Sequence, residues 1–312
     1  MKSRHTSRKS LARQTALLAV TILLGGVAAC AALATSSSSS QVAVEPALGQ
    51  VTRVTDWHQI KLPLDAWTLS MRDRWRIDRA EAKFTKSCMA RFGFSYGGGT
   101  SGPEPSANES GITHYRLYGL LDEAHARAYG YHNGETRFPE RYAGDSRPIS
   151  RDYANVVAAK LGGGTYQGQR IPSGGCIGEA RRLLDGAGPA VDPSLAEGLG
   201  GDSWLRSNSD TRLLGAFHTW SRCMAGSGYS YKNPMDANND DRWGAHPSSK
   251  AEIAVALADV RCKKWTNLTG IRMAVDSAYQ RAAILAHAQE LRSLQERQQR
   301  QVRNALQVLA IR

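Results

Sequence analysis

Residues 88–96 read CMARFGFSY and residues 223–231 read CMAGSGYSY. The two phrases agree at six of nine positions, and each opens with a cysteine. What precedes them is also alike. Ahead of the first copy, Ser70 is placed to cap a helix in which Ile77, Ala80, Phe84 and Cys88 recur at spacings of three and four, the pattern of one buried helical face. Ahead of the second, Asp210 is the cap and Leu213, Phe217, Trp220 and Met224 form the stripe. Gly93 and Gly228 each stand five residues past the cysteine, where a residue able to turn left-handed closes a helix. Phe94 and Tyr96, or Tyr229 and Tyr231, then alternate as a short extended segment would. The repeated phrase therefore predicts a helix end with an inward cysteine, a glycine stop and an aromatic clamp. Its recurrence points to an internal duplication.

The N-terminus decides how the five cysteines are to be counted. Lys2, Arg4, Arg8, Lys9 and Arg13 precede the uncharged run TALLAVTILLGGVAA, which is shorter than the roughly 20 apolar residues that a spanning helix needs. Residues 1–29 read as an export signal for the general secretory route. The junction Val27-Ala28-Ala29-Cys30 resembles the lipobox of bacterial lipoproteins, in which the cysteine is acylated and becomes the new N-terminus. That resemblance implies lipidation at Cys30 and a membrane anchor without a spanning segment. Residues 30–50, with five serines in succession, then form a flexible spacer.

Setting Cys30 aside leaves Cys88, Cys176, Cys223 and Cys262, an even number in a chain exported to oxidising surroundings. Two disulfides are expected. Pairing each module cysteine with the next one along gives Cys88–Cys176 and Cys223–Cys262, and cross-pairing of Cys88 with Cys223 is the rival. No CxxC spacing favours zinc or thiol redox chemistry.

The remaining stretches are mostly helical in pattern. Ser249 and Glu252 form a capping-box pair before Ile253, Leu257 and Val260, so helices over 210–227 and 250–268 are expected as an antiparallel pair joined by Cys262. SRDYANVVAAKL (150–161) puts Tyr153, Val156, Val157 and Leu161 on one face with Gly162 as its stop, and EARRLL (179–184) begins another helix. From about residue 271 a long C-terminal helix runs to the end, with an Arg- and Gln-rich face read as solvated. The expected fold is mainly α, a disulfide-stapled helical domain with short irregular or extended segments, divided into an N-terminal module (51–190) and a C-terminal module (191–312).

The chain has a formal charge of +12. The signal holds five of those positive charges, so about +7 remains on the mature protein. Outside a membrane, a basic surface meets lipid headgroups, anionic wall polymer or another envelope protein, and nucleic acid is a poor fit.

Signatures of catalysis are sparse. His114, His125 and His132 share an aromatic-rich stretch with Asp122, Glu123 and Glu135, yet no HExxH occurs and Gly130 interrupts the helix that would align them. The GGGT runs at 97–100 and 162–165 lack the Lys-Ser/Thr of a phosphate loop. DANNDD (236–241) starts like a calcium loop but has Asp241 where glycine is required and Pro247 where a bidentate glutamate is required. Neither GxSxG nor SxxK is present. No metal site and no cofactor is predicted.

LPLDAWTLS, CMARFGF, PSGGCIGEARR, WSRCMAGSGYSY, PSSKAEIAVALADVRCK and SAYQR together resemble uncharacterised secreted lipoproteins of actinomycete-type bacteria, over about residues 55–285. The resemblance implies an extracytoplasmic address and two disulfides, and it brings no activity. Two functions follow as expectations: a non-enzymatic binding or scaffold module at the cell envelope, or a wall-directed hydrolase or metal-dependent enzyme using the His114–His132 region.

Overall fold

The computed structural model describes residues 44–99, 102–106, 114–133, 150–244 and 247–310. The signal, Cys30, Glu135 and most of the spacer lie outside the described residues. Glu45–Arg312 forms one compact unit. Among the described residues it contains ten α-helices: α1 (Met71–Arg91), α2 (Glu123–Tyr129), α3 (Arg151–Ala158), α4 (Gly175–Asp185), α5 (Leu195–Ser207), α6 (Thr211–Gly226), α7 (Pro234–Asn238), α8 (Lys250–Thr266), α9 (Leu268–Ala286) and α10 (Ala288–Ala310). A two-stranded antiparallel hairpin pairs Thr165–Tyr166 with Gln169–Arg170. The fold is mainly α, as the spacings predict.

The repeated phrase forms the same device twice. In α1 the Ser70 hydroxyl accepts from the Asp73 N–H, and in α6 the Asp210 carboxylate accepts from the Arg212 N–H. At the other end, the Phe94 and Gly93 N–H groups donate to the carbonyls of Met89 and Ala90, both at 3.0 Å. Tyr229 and Gly228 donate to Met224 and Ala225, both at 2.9 Å. This six-to-one and five-to-two pairing satisfies carbonyls that a helix end leaves unpaired, and it requires a left-handed residue at its centre. Gly93 and Gly228 supply it, with φ of 77° and 88°. In each copy the aromatic after the glycine packs against the core that holds the methionine after the cysteine, Phe94 with Met89 in one and Tyr229 with Met224 in another.

Cys88 is bonded to Cys176 and Cys223 to Cys262, with Cα separations of 5.5 and 5.7 Å, so cross-pairing is excluded. The first bond ties α1 to α4, around a core that adds Phe92, Val156 and Ile171. In PSGGC, Gly175 sits against α3 so closely that a Cβ would lie 2.6 Å from the Val157 carbonyl. The second bond ties α6 to α8. Trp220 meets Asp259 and, one turn on, Cys223 meets Cys262, so the contact advances in one chain sense and joins C-terminal turn to C-terminal turn. The antiparallel hairpin expected for these helices is not what forms.

Four further expectations change. First, α3 stops at Ala159 in a left-handed conformation, short of Gly162. The cause is Asn155, whose carboxamide accepts from the Leu161 and Gly163 N–H groups and donates to the Gly163 carbonyl, folding the chain away and leaving Leu161 exposed. Second, the long C-terminal helix forms as α10, but it starts later than expected, the run from 271 being divided at His287 into α9 and α10, although the His287 N–H still reaches Ala283 and Leu291 still reaches His287, both at 3.0 Å. Third, part of the Arg- and Gln-rich face of α10 is not solvated. Arg300 and Asn304 donate to the carbonyls of Asp185 and Leu184, while Arg297 and Gln301 hold the Asp185 carboxylate, so α10 caps the C-terminal end of α4. Fourth, the compact unit begins at Glu45, inside the expected spacer. The Glu45 carboxylate accepts from the Thr211 N–H at 2.6 Å and its hydroxyl at 2.9 Å, at the N-terminus of α6.

Two stability measurements follow. Replacing both Cys223 and Cys262 by alanine removes a closure worth at most about 4 kcal/mol in the loop-entropy account, seen as a lower urea midpoint. Gly228→Ala places a Cβ in a left-handed turn and lowers stability by about 1 kcal/mol, whereas Gly226→Ala, inside α6, does not.

Candidate functional site

Helix α8 is buried on nearly every side, and it carries charge into the core. Lys263 and Asp259, with side chains 2% and 0% exposed, form an ion pair at 2.8 Å. Trp220 Nε1 donates to the other carboxylate oxygen at 3.0 Å, and Lys263 Nζ also donates to the Leu120 carbonyl at 3.3 Å. Just past the α8–α9 break, Arg272 Nε donates to Asp276 Oδ2 at 3.2 Å and the Ser207 hydroxyl to Oδ1 at 2.6 Å. Burial pushes both the Asp259 and Asp276 carboxyls up, against the pull of the neighbouring Lys263 and Arg272. Each pair also reaches a neighbouring segment: Lys263 bonds the 114–133 segment at the Leu120 carbonyl, and Arg272 bonds the α5–α6 corner at Asn208 Oδ1, 2.7 Å away.

Between those segments and α7 opens a cleft of about 1050 Å³. Its apolar lining is Leu117, Trp204, Leu214, Phe217, Met235 and Trp243. Arg272 lays its guanidinium 3.7 Å from the Trp204 ring centroid, and Tyr118 stacks on the same indole at 5.9 Å. Arg116 ties the opposite wall together. One of its nitrogens donates to the His132 carbonyl and Asn133 Oδ1, the other to the Tyr131 carbonyl and Asn238 Oδ1, at 2.6–3.3 Å. The rim beyond α7 is closed by a compact triad. Arg242 and the Tyr231 hydroxyl both donate to Asp240 Oδ2, at 2.6 and 2.7 Å. The Arg242 bonds hold the Asp240 carboxyl well below the usual range, while burial and the neighbouring carboxylate push the Tyr231 phenol up to about 12.

The three histidines are dispersed. His114 Nε2 faces the Asp65 carboxylate at 2.9 Å. His125 is buried, with one ring nitrogen 2.7 Å from the His132 carbonyl and the other 3.3 Å from the Tyr115 hydroxyl, and its ring lies against Tyr129. Of the three, His132 lines the cleft, with Nε2 3.4 Å from Glu252 Oε2. Gly130, left-handed at φ 55°, ends α2 and separates His125 from His132. Glu252, expected to complete a capping box, turns inward instead: its own N–H is capped by Ser249, and its carboxylate accepts from the Tyr131 N–H at 2.8 Å. The calcium-like run is committed elsewhere too, Asn238 to Arg116 and Asp240 to Arg242. Among the described residues, no cluster of three His, Cys, Asp or Glu is arranged to hold a metal ion.

The 114–133 segment thus forms a wall of the cleft through Arg116, Tyr118, His132 and Asn133 rather than through converging imidazoles. The asparagines of that cleft carry no motif in the sequence, being scattered over Asn133, Asn208, Asn233, Asn238 and Asn239. Comparison with protein-family models, with curated proteins and with solved structures gave no match.

Lys263→Met leaves Asp259 buried without its cation, and the expected loss is about 3 kcal/mol by chemical denaturation. Lys263→Met combined with Asp259→Leu recovers most of that loss. A single variant as stable as the parent would mean that the pair does not anchor the 114–133 wall.

Proposed function

We propose that this chain is an extracytoplasmic lipoprotein, held at the outer face of the cytoplasmic membrane through acylated Cys30, and that its helical body is a non-enzymatic binding module of the cell envelope. The observation that carries the reading is the partition of sulfur. Four cysteines pair among themselves, so the fifth, Cys30, has no intramolecular cysteine partner and follows an export signal in a lipobox-like context. Two disulfides suit an oxidising compartment. No helix among the described residues is long and apolar enough to cross a membrane.

The cleft supports binding rather than turnover. Arg116, Arg272 and Asp240 are engaged in holding its walls, and His114 and His125 are engaged outside it. One observation favours the hydrolase reading, the approach of His132 to Glu252 at the cleft wall, but that carboxylate already secures the Tyr131 backbone. The +7 or so of the mature chain favours contact with anionic polymer or lipid as a diffuse attraction, screened by salt beyond about 10 Å at 0.1 M.

Membrane fractionation of cells expressing the parent and Cys30→Ala tests the proposal. The parent is expected in the membrane fraction, with the mass of acylated Cys30 at its N-terminus. Cys30→Ala is expected to lose the acyl mass and to leave that fraction. Equal retention of both proteins would overturn the anchor.

A further inference from the structure

Four of the five asparagines of the cleft leave one end of the carboxamide unused by the fold. Asn133 Oδ1 accepts from Arg116 at 3.0 Å and Asn208 Oδ1 from Arg272 at 2.7 Å. Asn233 Oδ1 accepts from the Met235 and Asp236 N–H groups at 2.8 and 3.1 Å, and Asn239 Oδ1 accepts from the Asn238 amide at 2.7 Å. In the first three the partner can only donate, which fixes which end of the carboxamide is oxygen. All four residues line the cleft. The oxygen of each is committed to the protein, and the NH₂ of each has no partner among the described residues. A fifth spare donor lies deeper. Arg272 is 5% exposed and lines the cleft, and its Nη2 is buried without a hydrogen-bond partner among the described residues.

We infer that this cleft recognises a neutral, polyhydroxylated ligand, a short segment of glycan chain. The inference rests on the binding-module reading and names its ligand class. A glycan presents ring, glycosidic and hydroxyl oxygens as acceptors in excess, together with apolar C–H faces. The cleft presents spare NH₂ donors around exposed Leu117, Leu214 and Met235 and half-buried Phe217. An extended peptide brings backbone donors and acceptors in equal number and would leave its N–H groups facing carboxamide oxygens already in use. Charge argues against an anionic polymer here. The lining holds two guanidinium groups, Arg116 and Arg272, against two carboxylates, Asp240 and Asp241, which balance. At about 1050 Å³ the space is at the upper end of small-ligand pockets, commonly about 300–1,000 Å³, so it takes more than one sugar ring.

The test is calorimetric titration of the full chain in nonionic detergent with the tetramer of β-1,4-linked N-acetylglucosamine, a neutral probe. Parallel arms use an end-blocked Ala-Gly pentapeptide and a soluble polyglycerol phosphate. Binding of the tetramer, unchanged between 50 and 500 mM salt, is the expected result. Asn208→Asp and Asn239→Asp keep the oxygen that the fold uses and exchange the NH₂ for an acceptor. Each should weaken the tetramer about tenfold, the loss of one hydrogen bond, with an unchanged thermal midpoint. Two results overturn the inference: no heat with the tetramer, or affinities unaltered in both Asp variants. Binding confined to the pentapeptide, or to the phosphate polymer with steep salt dependence, also overturns it and assigns the cleft to that class instead. Because the titration is done in detergent, its failure is distinct from failure of the Cys30 anchor, which is read by fractionation.

Discussion

Trp220 and Cys223, one turn apart on α6, reach Asp259 and Cys262, one turn apart on α8, and the rest of the body is arranged around that double tie. One contact is covalent. The other places a carboxylate in the apolar core, where it is tolerable because an indole N–H and a lysine ammonium meet it there. Hydrophobic burial is directionless and would let two such helices slide; a bond and a fully committed charge do not. With α8 fixed, Lys263 can hold the Leu120 carbonyl, and the 114–133 segment acquires a position despite having little regular structure of its own.

The sequence made helix ends more legible than helix partners. Ser70, Ser150, Asp210 and Ser249 cap as their chemistry dictates, because a cap is a contact between residues two or three apart. The glycine stops were legible at Gly93 and Gly228 for the same reason. At Ala159 the stop was not, since the residue that ends α3 is chosen by Asn155 bonding forward to residues six and eight positions away. Glu252 shows the same limit. Its spacing from Ser249 predicts a reciprocal cap, but the backbone of Tyr131, 121 residues away, takes its carboxylate instead. The cleft was the least legible part. Its asparagines come from three separate stretches of chain, and only the folded body makes them neighbours.

The two copies of the repeated phrase have diverged in what they support while keeping the same closure. The first, through Cys176, lies in a small core with α3 and α4 that Phe92, Phe94, Tyr153 and Tyr166 make largely aromatic. The second, through Cys262, belongs to the largest core and stands next to the cleft, which takes Phe217 from the same helix. One helix-end device thus serves two different cores, and the second copy also borders the cleft.

Glu45 binds the backbone and hydroxyl of Thr211, and Arg212 donates to the Pro46 carbonyl, so the segment from Glu45 joins the body at the first turn of α6. A pull on that segment would therefore reach a helix that also supplies Leu214 and Phe217 to the cleft wall. The load path bypasses the Cys88–Cys176 side and runs into the stapled α6–α8 contact.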